Sequence, residues 1–185
     1  RWNIEADDSA GRPLSQTAAG RLLLLLAEAA AEEAAPVPLA ALLEHPLVRA
    51  GEGRGGWLDN VRAFELKLRG PRPAPGLGPL RQVAGKAAVE HWWAGVAAIL
   101  EPLMSQVRQP LAELLDKLAV AAEALCGEGI WAREDGRALA ALVEDLRLHA
   151  AETRFAIDPA ELPAALRDAM ERVAVRPPYG GHPRV

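Results

Sequence analysis

Cysteine is nearly absent from this chain, with Cys126 as its single representative. One thiol excludes an intramolecular disulfide, a zinc knuckle and a cysteine-ligated iron–sulfur cluster, and it suits a reducing compartment. Aromatic residues amount to 4%, so Leu, Ala and Val must fill the core. Long apolar runs are missing too. Residues 22–27 form the most apolar stretch, far short of the ~20 residues a membrane-spanning helix needs. That stretch lies inside the chain, which excludes a signal peptide. Strand-like alternation is almost absent and β-branched residues are sparse. No glycine-rich run leads into Gly-Lys-Ser/Thr, so nothing cradles a nucleotide phosphate. The expectation is a soluble, cytoplasmic protein with no cofactor and no metal.

Helical periodicity is present along most of the length. With 185 residues, half of them apolar, the chain can bury a core as one domain or two small ones. The spacing predicts an all-α fold, an irregular multi-helix domain of six to eight helices with extended termini. A first helix is expected over residues 17–35, capped by Ser15 or Thr17 and ended by Pro36 and Pro38, with a short helix from Pro38 to Glu44. A third runs over 56–69, with Trp57, Val61, Phe64 and Leu68 on one stripe. A fourth spans 86–100, carrying Val89, Trp92, Trp93, Val96 and Leu100. A fifth extends from Pro110 to Cys126, with Gly127 as its cap. A sixth spans 134–151, and a last one starts at Asp158-Pro159-Ala160-Glu161. Trp57, Phe64, Trp92, Val96, Leu114 and Leu118 are the expected core. The Pro/Gly-rich stretch 71–79 reads as a connector, dividing an N-terminal helical subdomain (1–70) from a C-terminal one (80–175). Residues 176–185 read as an extended exit. With a polar opening and this exit, both ends read as connectors, as in a piece of a longer protein.

The overall charge of −4 argues against strong nucleic-acid binding by the chain as a whole. Its distribution is uneven. Residues 1–53 carry net −4, residues 54–86 net +5 and residues 87–185 net −5. The basic residues of the middle segment are Arg54, Arg62, Lys67, Arg69, Arg72, Arg81 and Lys86. They are the candidates for contact with DNA phosphates.

No catalytic constellation stands out. Gly51 to Gly56 holds glycines with no preceding strand, which makes it a loop and helix start. Asp145, His149 and Glu152 share a helical face that has the donors for a metal, but a solvated surface face explains them better. The carboxylate pairs Asp7-Asp8, Glu32-Glu33 and Glu134-Asp135 sit at expected helix ends or exposed faces, where dipole and solvation account for them. Ser9, Ser15 and Ser105 lack a histidine at a suggestive spacing. Trp92-Trp93 offers a base-stacking platform, but adjacent helical residues diverge by about 100°, and core packing is the better reading. Catalytic residues are therefore expected to be absent.

Three phrases carry a family resemblance: DDSAGRPLSQTAAGRLLLLLAEA (residues 7–29), ALLEHPLVRAGEGR (41–54) and RPPYGGHPRV (176–185). Together they resemble the interior of an AddB-type subunit of the bacterial AddAB helicase–nuclease. The resemblance implies a helical, 2B-like insertion in the helicase-like half of an enzyme that resects double-strand DNA ends for recombinational repair. It implies DNA, an AddA-type subunit and the remaining domains of the parent chain as partners, with no membrane. The nuclease and nucleotide sites would then lie outside these residues, and no catalytic residue carries over. The competing reading is a structural helical module that binds protein and never touches DNA.

Overall fold

Thr17 starts the first helix. The computed structural model describes residues 11–69 and 73–176, and in it Thr17 is extended (φ −83°, ψ 167°) ahead of α1, Ala18–Ala31. Its Oγ1 accepts from the Gly20 amide at 3.2 Å and donates to the Leu14 carbonyl at 2.7 Å, so one hydroxyl settles two otherwise orphaned backbone groups. Ser15 lies instead in a 3₁₀ turn, Leu14–Gln16. The helix stops earlier than its proline neighbours suggest. Glu33 and Ala34 turn left-handed (φ 50° and 58°), and the Ala34 amide closes back on Ala29 at 2.7 Å. Pro36 then opens α2, Pro36–Glu44. It takes the first position, where a missing N–H is harmless and a fixed φ helps. Pro36, expected to end one helix, therefore begins the next, two residues ahead of the expected start at Pro38.

Gly53, at φ +87°, turns the chain into α3, Arg54–Leu68. The expected connector at 71–79 is partly helical, because α4 runs Leu77–Lys86. Pro79 sits in its first turn, where a proline costs no hydrogen bond. Ala88, left-handed at φ 55°, separates α4 from α5, Glu90–Leu100. The helix expected over 86–100 is thus α5, starting at Glu90, and α4 is an additional helix ahead of it. A 3₁₀ turn at Glu101–Leu103 follows. Next comes α6, Leu111–Cys126, ended by Gly127 at φ 70°. Helix α7 spans Glu134–Thr153 and ends at left-handed Arg154. The Asp158 side chain caps a 3₁₀ turn, Pro159–Glu161, that leads into α8, Leu162–Glu171. Pro163 fits the first turn of α8.

The fold is all-α, with eight α-helices among the described residues. Two antiparallel ladders of two residues each tie distant points. β1 (Arg12–Pro13) pairs with β4 (Ala174–Val175), and β2 (Gln109–Pro110) with β3 (Ala156–Ile157). The exit segment 177–185 lies outside the described residues.

Helix α1 is the hub, packing against α2, α6, α7 and α8. Its Leu22, Leu23, Leu26, Ala27 and Ala29 are all sealed from solvent, so it is apolar almost all round. Helices α3, α4 and α5 pack in series, joined to the hub through α2 and α6. One apolar cluster runs through both groups and draws on both sides of residues 71–79. Phe64, Val96, Leu114 and Leu118 lie in it as expected. Trp57 and Trp92 only flank it, half-buried, and Trp93 is the indole at its centre (1% exposed). The stripe Val89, Trp93, Val96, Leu100 has the 4-3-4 spacing of a buried face, and Trp92 sits one step off it.

Candidate functional site

The basic residues of the middle segment divide by what they touch. Arg54, half-buried at the start of α3, donates to the carbonyls of Glu44 at 3.1 Å, His45 at 3.2 Å and Val48. These carbonyls lie at and just beyond the end of α2, and the guanidinium satisfies them. Arg54 is thereby a clamp between helices and not a free phosphate ligand. Arg62 pairs with Asp59 one turn back at 3.1 Å, both exposed. Lys67, Arg69, Arg81 and Lys86 are exposed and form no ion pair among the described residues. Arg72 lies outside the described residues.

Helices α3 and α4 are packed neighbours, so these basic residues lie on and beside adjoining elements. They do not form one stripe. Arg62 and Arg69 fall on the outward line of α3 together with Leu66, which is 61% exposed. Arg81 and Lys86, five residues apart, point about 140° from each other on α4. Exposed cations of this kind are able to meet phosphates without reading sequence.

Beneath α3 lies an aromatic cluster. Phe64 stacks on Trp93 (4.9 Å between centroids, 14° between planes), and Trp92 meets Trp57 edge-on at 5.3 Å. The Trp57 indole donates to the Leu43 carbonyl at 2.9 Å, and the Arg49 guanidinium lies 5.6 Å from its ring centre. The rings pack on one another, and this explains why the tandem tryptophans are not an open stacking platform.

The other sequence candidates are scattered. The His149 ring donates from Nδ1 to the Asp145 carbonyl at 2.7 Å. That bond, with the nearby Asp145 carboxylate and Glu152, holds its pKa above the ordinary value. It is exposed, and among the described residues no three His, Cys, Asp or Glu side chains assemble as a metal site. Burial pushes the Cys126 thiol up to about 12, against the opposing charge of Arg49. Ser105 accepts only from the Val107 amide. No helix of the described residues is long and apolar enough to cross a membrane.

One feature escaped the sequence reading. A cleft of about 680 Å³ opens between α1, the end of α2 and α8, with Ser15, Arg21, Leu25, His45 and Glu171 among its walls. Ser15 donates to the Glu171 carboxylate, and Arg167 pairs with Glu28 at 2.6 Å across the α1–α8 seam. His45 is one of three buried polar residues among the described residues (8% exposed). Residues 15, 45 and 171 are too far apart in sequence for any spacing to signal this grouping. No family model matches the chain, and no curated protein or solved structure matches it.

Proposed function

We propose that this chain is a non-catalytic helical domain of a DNA double-strand-break repair helicase–nuclease subunit of the AddB type, acting in the cytoplasm. The family assignment rests on the three sequence phrases. The observation that supports DNA handling is the set of exposed basic residues on and beside α3 and α4: Lys67, Arg69, Arg81 and Lys86 have no acidic partner among the described residues. On this reading the parent enzyme's motor and nuclease domains hold a duplex nearby. Weak phosphate contacts then work at high effective concentration, and an AddA-type subunit contacts other surfaces. The all-α architecture suits an insertion whose work is positioning.

The test is anisotropy of a labelled duplex titrated with this chain across a range of salt concentrations, beside the variant Arg69→Glu, Arg81→Glu, Lys86→Glu. Binding should be weak and indifferent to sequence. Losing three phosphate contacts should flatten the slope of log K against log salt by roughly 2.7. An unchanged affinity and slope would favour the second reading, a protein-binding module without DNA contact. That reading draws on the exposed apolar side chains Val107 (72%), two residues ahead of β2, and Phe155 (49%), next to β3.

A further inference from the structure

The cleft beside α1 has a polar atom with nothing to bind. The His45 Nδ1 accepts from the Leu47 amide at 3.3 Å, which leaves the proton of the neutral ring on Nε2. That Nε2 makes no hydrogen bond among the described residues and is not among the atoms sealed from solvent, and His45 lines the cleft. His45, 8% exposed, therefore carries one unpaired N–H donor at the wall of the cavity. Burial first, then the charges of Arg54 and Arg21, lower the His45 pKa, so the donor is a neutral imidazole.

Arg21 shares the cleft with it and forms no ion pair among the described residues. The second arginine, Arg167, is already neutralised by Glu28. Leu24 and Leu25 supply apolar lining. The volume, about 680 Å³, lies in the range of small-molecule sites. Two glutamates also line the walls, Glu28 and Glu171. Glu28 is spent on Arg167, so Glu171 is the charge that opposes an incoming anion, and it opposes a dianion more strongly than a single carboxylate facing Arg21.

We propose that this cleft binds a small monocarboxylate with an apolar body, its carboxylate held between the Arg21 guanidinium and the Nε2–H of His45 and its hydrocarbon part against Leu24 and Leu25. The site is built from α1, the end of α2 and α8, and no residue of α3 or α4 lines it, so it stands independently of the DNA reading.

The test is a titration of the ¹⁵N-labelled chain with octanoate, following the imidazole nitrogens of His45, assigned by comparison with His45→Gln. Octanoate should shift the Nε2 resonance saturably. Arg21→Gln, at an exposed position that leaves the fold intact by circular dichroism, should weaken binding at least about tenfold, the equivalent of one charged hydrogen bond. Inorganic phosphate should give no saturable shift. Absence of a saturable octanoate shift would overturn the proposal, as would an Arg21→Gln variant of unchanged affinity. Phosphate binding as tight as octanoate would overturn the carboxylate assignment, because the site would then be reading charge alone.

Discussion

Trp92 and Trp93 are adjacent in the chain and differ in nearly every physical respect. Trp93 is sealed and stacked on Phe64. Trp92 is half-buried, yet its indole N–H is sealed from water and has no acceptor. Trp93→Ala should therefore cost about 3–5 kcal/mol, the usual cost of emptying a large aromatic site. Trp92→Phe removes an unpaired donor together with some packing area, and these oppose one another. Its net effect should stay within about 1 kcal/mol, and urea unfolding of the two variants checks the ranking. His45 gives a second residue-level prediction. Burial and the neighbouring arginines lower its pKa below 6.5 in the folded state, so the unfolded chain binds the proton more readily. The stability it contributes is complete above pH 6.5 and is lost as pH falls through the lower folded value. His149 has the opposite shift, raised by the backbone and side chain of Asp145, and its contribution is lost as pH rises. Comparing wild type with His45→Gln cancels His149 and the carboxylates. The stability advantage of wild type over the variant should shrink between about pH 7.5 and pH 5, and an advantage that is constant with pH would show that His45 is not held neutral by the fold.

Elements were legible where side chains fix a backbone geometry and less so where the backbone alone decides. Thr17, Gly127 and Asp158 each mark an end by a mechanism visible in the sequence, and each acts as a cap. Pro36 and Pro79 misled, since a proline that stops one helix and a proline that starts another look alike in sequence. Left-handed Glu33, Ala34 and Ala88 carry no signature at all, because ordinary residues stand where glycine or asparagine would be the expected mark. Glycines within helices show the same dependence on context. A Cβ on Gly20 of α1 would lie 1.9 Å from the Leu14 carbonyl oxygen, and one on Gly136 of α7 would lie 2.2 Å from that of Ile130. One on Gly95 of α5 would meet nothing within 4 Å. Helix propensity alone favours alanine over glycine by about 1 kcal/mol at any interior site. Gly95→Ala should accordingly stabilise by roughly 0.5–1 kcal/mol. Gly20→Ala should destabilise by about 1–3 kcal/mol, because the obstacle is backbone that cannot rotate away. Thermal melts of both variants decide it, and a stabilising Gly20→Ala would mean that the turn at Leu14–Gln16 yields easily.

At the scale of the molecule, the charge map and the fold class were readable along the chain, and the cleft was not. Composition and period need only neighbours in sequence, so the all-α fold followed from them. Arg54 shows the limit. Its charge counted toward the basic segment, yet three carbonyls around the end of α2 consume its donors, and no sequence pattern distinguishes a clamp from a free cation. The cleft needs residues 15, 45 and 171 together, which only the packing of α1 against α2 and α8 supplies. The same packing bears on how the chain unfolds. The early helix α1 is covered by the late helices α6, α7 and α8, and β1 pairs with β4 near the far end of the described chain. The first half therefore has little apolar shelter without the second. The group α3, α4 and α5 shares Phe64, Trp93 and Val96 with the same cluster. Unfolding should then be a single transition, with tryptophan fluorescence, which reports mainly on α3 and α5, and far-ultraviolet circular dichroism, which reports on all helices, giving the same urea midpoint and the same slope. Separated midpoints would show that the α3–α5 group melts on its own. In that case the aromatic cluster is a local core, and the boundary of cooperativity falls between the two helical groups and not at residues 71–79.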